Sequence, residues 1–161
     1  MKKIIVAACG VIILSFMLIN VSQAQILLPE VTVTSGNVPE KVDEAFKTTF
    51  KEAEDPKWYA ANKNYLVRFL MNDMKNQAVF KKNGNIIYQI AYGYEKDLPE
   101  DVSSLVKRKY PDYEIVVAFN VKQDERNIWV VNMENEKNMI KVRVEDGEIN
   151  MAERTRKSSK K

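Results

Sequence analysis

The sequence predicts an α+β fold in which a helix packs on an antiparallel sheet of about four strands, and it predicts that this unit occurs twice. The quartet Asn37-Val38-Pro39-Glu40 returns 60 residues later as Asp97-Leu98-Pro99-Glu100. After each quartet, apolar residues recur first at helical spacing and then with period two. Hydrophobic residues make up 45% of the chain, which is enough for a packed core.

Each quartet is typical of a helix start. Asn37 or Asp97 would cap the helix, and Glu40 or Glu100 would bond back to the cap in a capping box. Proline is tolerated in the first turn. The apolar residues that follow have matching offsets in the two copies and form one stripe of an amphipathic helix about three turns long. They are Val42, Ala45, Phe46 and Phe50 in the first copy and Val102, Leu105, Val106 and Tyr110 in the second.

Alternation with period two predicts four strands after each helix. The predicted strands are residues 57–61, 65–71, 77–81 and 86–94 in the first copy and 114–120, 128–133, 139–144 and 148–154 in the second. Asn83-Gly84 and Asp146-Gly147 predict tight hairpin turns before the last strand of each copy.

The N-terminus predicts export. Lys2 and Lys3 precede an apolar run over residues 4–19, and Ser22-Gln23-Ala24 provides small residues where a signal peptidase cleaves, before Gln25. The length of the apolar run also leaves an uncleaved membrane anchor open. We predict a periplasmic or extracellular protein. Its predicted segments are a signal peptide (1–24), a linker (25–36), two repeats (37–96 and 97–153) and a basic disordered tail (154–161).

Composition excludes most catalytic chemistry. The chain has no His, and Cys9, its single Cys, lies in the predicted signal peptide, so the exported part has no imidazole, thiolate or disulfide. Residues 25–153 carry 18 basic and 22 acidic side chains. This excess of acidic residues does not predict the basic face that nucleic-acid binding requires. The acidic pairs and the methionines show no ligand spacing. We therefore predict no enzyme activity, no metal, no cofactor and no nucleic-acid partner.

Several short motifs together resemble a known family. They are the Val38-Pro39-Glu40 opening, the aromatic Phe50 that closes the helix, Trp58 in the first strand and the Asn/Asp-Gly turn of each half. These features resemble the PepSY-like family, also called β-lactamase-inhibitor-protein-like (BLIP-like), which is small, exported and bacterial. The resemblance covers about residues 37–152, and the second copy lacks a Trp matching Trp58. It implies sheets that form a concave face able to hold a protein partner.

Aromatic side chains provide the candidate partner-binding residues. Tyr88, Tyr92 and Tyr94 share one side of a predicted strand with Ile86 and Ile90. That side either packs under the helix or forms an open recognition surface, for which Tyr is well suited. With the two hairpin turns included, the candidates are Trp58, Tyr59, Tyr88, Tyr92, Tyr94, Trp129, Asn83 and Asp146.

The sequence thus favours an exported, non-catalytic binding module that contacts another envelope protein. The family resemblance implies a hydrolase or protease as that partner, inhibited or regulated by steric occlusion. One alternative is a sensor or binding protein for a small ligand or glycan. Another is a structural protein held at the membrane by an uncleaved N-terminus or by the basic tail.

Overall fold

A computed structural model of the chain describes residues 38–158, so the predicted signal peptide (1–24) and linker (25–36) lie outside the described residues. No helix in the described range is long and apolar enough to cross a membrane. The elements follow in the order helix, four strands, short 3-10 helix, helix and four strands. They are α1 (Glu40–Thr49), β1 (Glu54–Ala61), β2 (Asn64–Met71), β3 (Met74–Lys81), β4 (Ile86–Gly93), the 3-10 helix (Glu95–Asp97), α2 (Glu100–Lys109), β5 (Glu114–Gln123), β6 (Arg126–Glu134), β7 (Asn138–Glu145) and β8 (Glu148–Arg156).

All eight strands form one antiparallel sheet in the order β1 to β8. The predicted fold class, a tandem repeat of a helix packed on a sheet of about four strands, is therefore wrong. The two sets of strands are joined because β4 pairs with β5, from Gln89 opposite Lys122 to Gly93 opposite Ala118. Separate sheets would leave the N–H and C=O groups of both strands unpaired at an edge, and this pairing satisfies them.

The helix starts differ from the predicted capping boxes. The N-cap positions are Pro39 and Pro99, and neither helix has a side-chain cap bond. Asp97 does not cap α2. Its Oδ2 accepts a hydrogen bond from the backbone N–H of Tyr94 at 2.9 Å and so closes the 3-10 helix. Asn37 lies outside the described residues.

Both helices pack on the same face of the sheet, here called the helix face. Phe46 of α1 is buried, with its ring 5.3 Å from that of Trp58 and 5.2 Å from that of Phe69. Val102 and Val106 of α2 pack in the same way on strand residues of the second half, including Val131, Met133 and Val142. Helices of ten residues are marginal in isolation, so this burial is what holds them folded.

The last strand extends further than its pattern predicts. β8 runs to Arg156, so the first three residues of the predicted tail 154–161 lie in the sheet. Beyond it, the Lys157 N–H donates to the carbonyl of Lys137, and Lys157 Nζ lies 3.1 Å from a carboxylate oxygen of Glu134. Residues 159–161 lie outside the described range.

The β3–β4 turn packs closely on α1 at Gly84. This residue has φ +90°, and a Cβ there would lie 2.8 Å from the carbonyl oxygen of Lys41 and 3.3 Å from Cβ of Ala45. Gly147, in the β7–β8 turn, has φ +76° but would place its Cβ more than 4 Å from any non-neighbouring atom. The two turns therefore differ in packing but share the left-handed backbone.

We expect Gly84→Ala to destabilise the protein more than Gly147→Ala. Each variant loses about 1 kcal/mol because an L residue is strained at positive φ. Gly84→Ala should lose about 1 kcal/mol more because the Lys41 backbone must shift. Urea unfolding of the two variants measures the difference in unfolding free energy. Equal losses would contradict close packing of this turn on α1.

Candidate binding face

The face of the sheet opposite the helices, here called the open face, has no helix or strand over it within residues 38–158. From β1 to β6 its side chains are mainly aromatic and aliphatic. The apolar ones are Tyr59, Ala61, Leu66, Val79, Ile87, Tyr88, Ile90, Tyr92, Phe119, Val121, Ile128 and Val130. Lys57, Arg68, Lys75 and Gln77 lie on the same face of β1 to β3. Leu66 and Val79 are buried by their strand neighbours alone, so the side chains on this face pack closely against one another.

A β-bulge decides which side of β4 carries the tyrosines. Ile86 lies opposite Phe80, which packs under α1, whereas Tyr88 lies opposite Val79 on the open face. Ile87 is the extra residue, and a bulge of this kind interrupts strict alternation. Tyr88, Ile90 and Tyr92 therefore share the open face, and Ile86 does not share it with them.

Three of the predicted partner-binding residues come together on the open face. Tyr59 on β1 and Tyr88 on β4 both pack on the cluster around Leu66 and Val79. Tyr88 and Tyr92 contact a second cluster around Ile90, which extends to β6. The open face of β1 to β6 is thus a continuous apolar layer, in which Leu66, Val79, Ile90, Val121 and Ile128 are buried by their neighbours and Tyr59, Tyr88, Tyr92, Phe119 and Val130 remain partly exposed.

The two tryptophans lie on the other face. Trp58 packs on Phe46 and Phe80 beneath α1, and Trp129 packs against the cluster beneath α2. Tyr94 follows β4 and is 64% exposed beside the 3-10 helix. Of these three candidates, only Tyr94 is available to a partner near the open face.

The two turn candidates lie at one end of the sheet, far from each other. Asn83 is in the β3–β4 turn, where its Oδ1 accepts from the Asn85 N–H at 3.1 Å. Asp146 is in the β7–β8 turn with φ +51°. Four strand spacings separate the two hairpins, which is about 19 Å. The structure does not bring these residues together with the tyrosines.

The sequence pattern missed Phe119. Its ring is 5.3 Å from that of Tyr92 at an interplanar angle of 84°, an edge-to-face contact across the β4–β5 pair. Val121 lies opposite Ile90 in the same pair. Alternation within β5 could have placed both residues on one side, but their contact with β4 depends on a strand pairing that local periodicity does not reveal.

Two polar atoms on this face are buried without a hydrogen-bond partner in the described part of the chain, namely Tyr88 Oη and Asn132 Oδ1. Burial raises the pKa of the Tyr88 hydroxyl, and nearby Tyr92 raises it further. The Gln77 side chain acts in the opposite direction, although it does not reach hydrogen-bond geometry with Oη. A buried hydroxyl without a partner costs free energy.

Arg68 is the cation within the aromatic area. Its guanidinium carbon lies 5.2 Å from the centre of the Tyr59 ring, a cation–π contact. Burial raises the pKa of Tyr92, and the positive charge of Arg68 partly opposes this rise. Arg68, Gln77 and Tyr92 line an open cleft of about 780 Å³ beside the β2–β3 turn.

The open side of β7 and β8 has a different character because its charges pair with one another. Lys141 Nζ lies 2.7 Å from Glu153 Oε2, and Arg126 Nε lies 2.7 Å from Glu145 Oε1. Arg143 also contacts Glu145. This end of the face is therefore polar, and one carboxylate, that of Glu145, is shared by two arginines. Among residues 38–158, no cluster of three or more carboxylates is arranged to hold a metal ion.

Comparison with known proteins identifies the fold. A BLIP-like protein from Bacteroides fragilis superimposes with TM-score 0.62 at 15% identity, over 76% of this chain and 89% of that one. A DUF2874 family protein from Bacteroides uniformis gives TM-score 0.60 at 15% identity, over 73% and 88%. A Bacteroides eggerthii protein assigned provisionally to the periplasm gives TM-score 0.60 at 16% identity, over 75% and 90%. The resemblance to BLIP-like proteins is thus confirmed for the fold. No protein-family model matches the chain, and a search of curated proteins finds no match.

We expect Tyr88→Phe to leave the protein as stable as the wild type or to stabilise it by up to about 1 kcal/mol. The substitution removes a buried hydroxyl that has no hydrogen-bond partner and keeps the ring. Urea unfolding at pH 7 measures the change. A loss of more than about 1 kcal/mol would show that the hydroxyl is already satisfied in the folded chain.

Alkaline pH should destabilise the wild type through the same side chains. The folded-state pKa of Tyr88 and of Tyr92 lies above the unfolded value of 10.0. Their contribution to the unfolding free energy is therefore fully present below pH 10 and is lost as pH rises through the folded pKa. The double variant Tyr88→Phe/Tyr92→Phe should lose less stability than the wild type as pH rises above 10. Parallel curves for the two proteins would contradict this.

Proposed function

We propose that this protein is an exported, non-catalytic binding module that covers part of an envelope hydrolase or protease with its open face. The observation that carries the proposal is the continuous aromatic and aliphatic surface over β1 to β6, which no described element covers. Inhibition or regulation would follow from steric occlusion, with no covalent step.

The shape of the surface favours a protein over a small ligand. Six strands span about 24 Å, which matches the width of an ordinary protein interface rather than a pocket that encloses a ligand. Tyr88 and Tyr92 provide partly exposed, rigid rings, and tyrosine is a type of side chain that carries much of the energy in protein interfaces. The self-paired charges of β7 and β8 would form a polar rim on one side.

Location in the envelope and the class of partner both rest on the resemblance to BLIP-like proteins and on the predicted signal peptide (1–24).

The test begins with mild crosslinking of the exported chain in an envelope extract of its host, read by mass spectrometry. Any captured hydrolase or protease is then assayed with increasing amounts of the purified chain. A stoichiometric fall in its activity would support inhibition. A thermal shift caused by envelope glycans or lipids, with no protein captured, would support the small-ligand alternative instead.

We expect Tyr92→Ala to weaken binding of the captured partner about tenfold or more, since a central interface tyrosine typically contributes over 1 kcal/mol. Tyr113→Ala is the matched control, because Tyr113 is partly buried among the residues beneath α2 on the helix face. It should leave the affinity unchanged. Trp129, a candidate from the sequence, lies on the helix face, so Trp129→Ala should destabilise the core rather than act on binding. Wild-type affinity in folded Tyr92→Ala would contradict the assignment of this face.

A further inference from the structure

The cleft beside the β2–β3 turn is lined by four cations, of which Lys57, Arg68 and Lys75 lie on neighbouring strands of the open face and Lys96 lies in the 3-10 helix. Lys57 lies directly opposite Arg68 in the β1–β2 pair. Arg68 lies opposite Gln77, which makes Lys75 its diagonal neighbour on β3. Like charges placed in register across two strands repel one another. A bound anion would remove this repulsion.

Two of the four cations have no acidic partner in the part of the chain that the structure describes, and Lys96 Nζ lies 4.0 Å from Asp97 Oδ1. Lys57 Nζ lies 3.0 Å from Asp55, whereas Arg68 and Lys75 form no ion pair with any residue from 38 to 158. Of the other acids that line the cleft, Asp97 accepts from the Tyr94 N–H, and Asp73 lies in the β2–β3 turn without a salt bridge in this range. Positive charge therefore remains available beside the aromatic area.

One of the donors, the Arg68 side chain, contacts an aromatic ring. The Arg68 guanidinium rests on Tyr59, 5.2 Å from the ring centre, so that its planar set of N–H donors is partly oriented before binding. Tyr92 lies opposite Lys75 in the β3–β4 pair and lines the same cleft, close enough to Arg68 for its charge to act on the hydroxyl. The planar guanidinium of arginine matches a carboxylate, which accepts two parallel hydrogen bonds from it.

We propose that this cleft binds the carboxylate of an Asp or Glu side chain that the docked protein inserts, with Arg68 as the bidentate donor and Tyr92 and Lys75 beside it. The inference rests on the proposed function, because it names the chemistry that a partner must present to the open face. An acidic side chain flanked by an aromatic one fits best, since the cleft adjoins the apolar area that contains Phe119.

The test uses two synthetic probes with the isotopically labelled exported chain. N-acetyl-Phe-Glu-amide and N-acetyl-Phe-Gln-amide differ only in the charge of one side chain. Titrations followed by ¹⁵N NMR report the Arg68 Nε–H and the backbone amides of residues 68, 75 and 92. We expect the Glu probe to bind about fivefold more tightly than the Gln probe, the effect of one partly exposed ion pair. Its shifts should centre on Arg68.

Three variants test how much the positive charges of the cleft contribute to binding of the Glu probe. Arg68→Gln and Lys75→Gln should each weaken binding of the Glu probe about threefold or more and reduce its advantage over the Gln probe. Lys81→Gln is the matched control, because it removes the same charge from the far end of the same strand. It should leave the affinity unchanged.

Equal affinity for the two probes, no shift at Arg68 with either probe, or tighter binding of inorganic phosphate than of the Glu probe would each overturn the inference. None of these results depends on a captured partner. The docking test with Tyr92→Ala therefore remains valid whichever of them is obtained. Conversely, the cleft could prefer the Glu probe while Tyr92→Ala binds the captured partner with wild-type affinity. That combination would contradict the proposed function and not the carboxylate site.

Discussion

The pairing of β4 with β5 is the interaction on which the rest of the molecule depends. It joins the two halves along Gln89–Gly93 and Ala118–Lys122, and so converts eight strands into one sheet. The same register places Tyr92 against Phe119 and Ile90 against Val121. Without this pairing, the aromatic surface would be two narrow strips on separate sheets, each with an unsatisfied edge strand beside it.

The position of the helices gives the sheet its two different faces. Each helix has ten residues and depends on its apolar stripe being buried, and both stripes, around Phe46 and Val106, lie on the same face. The opposite face is left as apolar side chains without a covering layer. Its central members, such as Leu66 and Ile128, are buried only by neighbours on the same face, whereas Tyr59, Tyr92 and Phe119 remain partly exposed.

Several features of the open face oppose stability when the chain is considered alone. The Tyr88 hydroxyl is buried without a hydrogen-bond partner, and Lys57 faces Arg68 across two strands. Elsewhere Lys141 pairs with Glu153 and Arg126 with Glu145. Similar local conflicts occur outside this area, because Glu114 faces Glu134 across β5 and β6, and Asn76 Oδ1 on the helix face is buried without a partner among the described residues.

The sequence by itself determined the order of the helices and strands and the two Gly turns at Gly84 and Gly147, because helical and strand periodicity and glycine turns are local properties. Only the tertiary structure decided that the strands form a single sheet, since the β4–β5 contact joins segments separated by α2. It also decided, through the bulge at Ile87, that Tyr88 and Tyr92 face away from the helices while Trp58 and Trp129 lie beneath them. Side-chain alternation tells which residues share a side of a strand, but which side is covered depends on where distant elements pack.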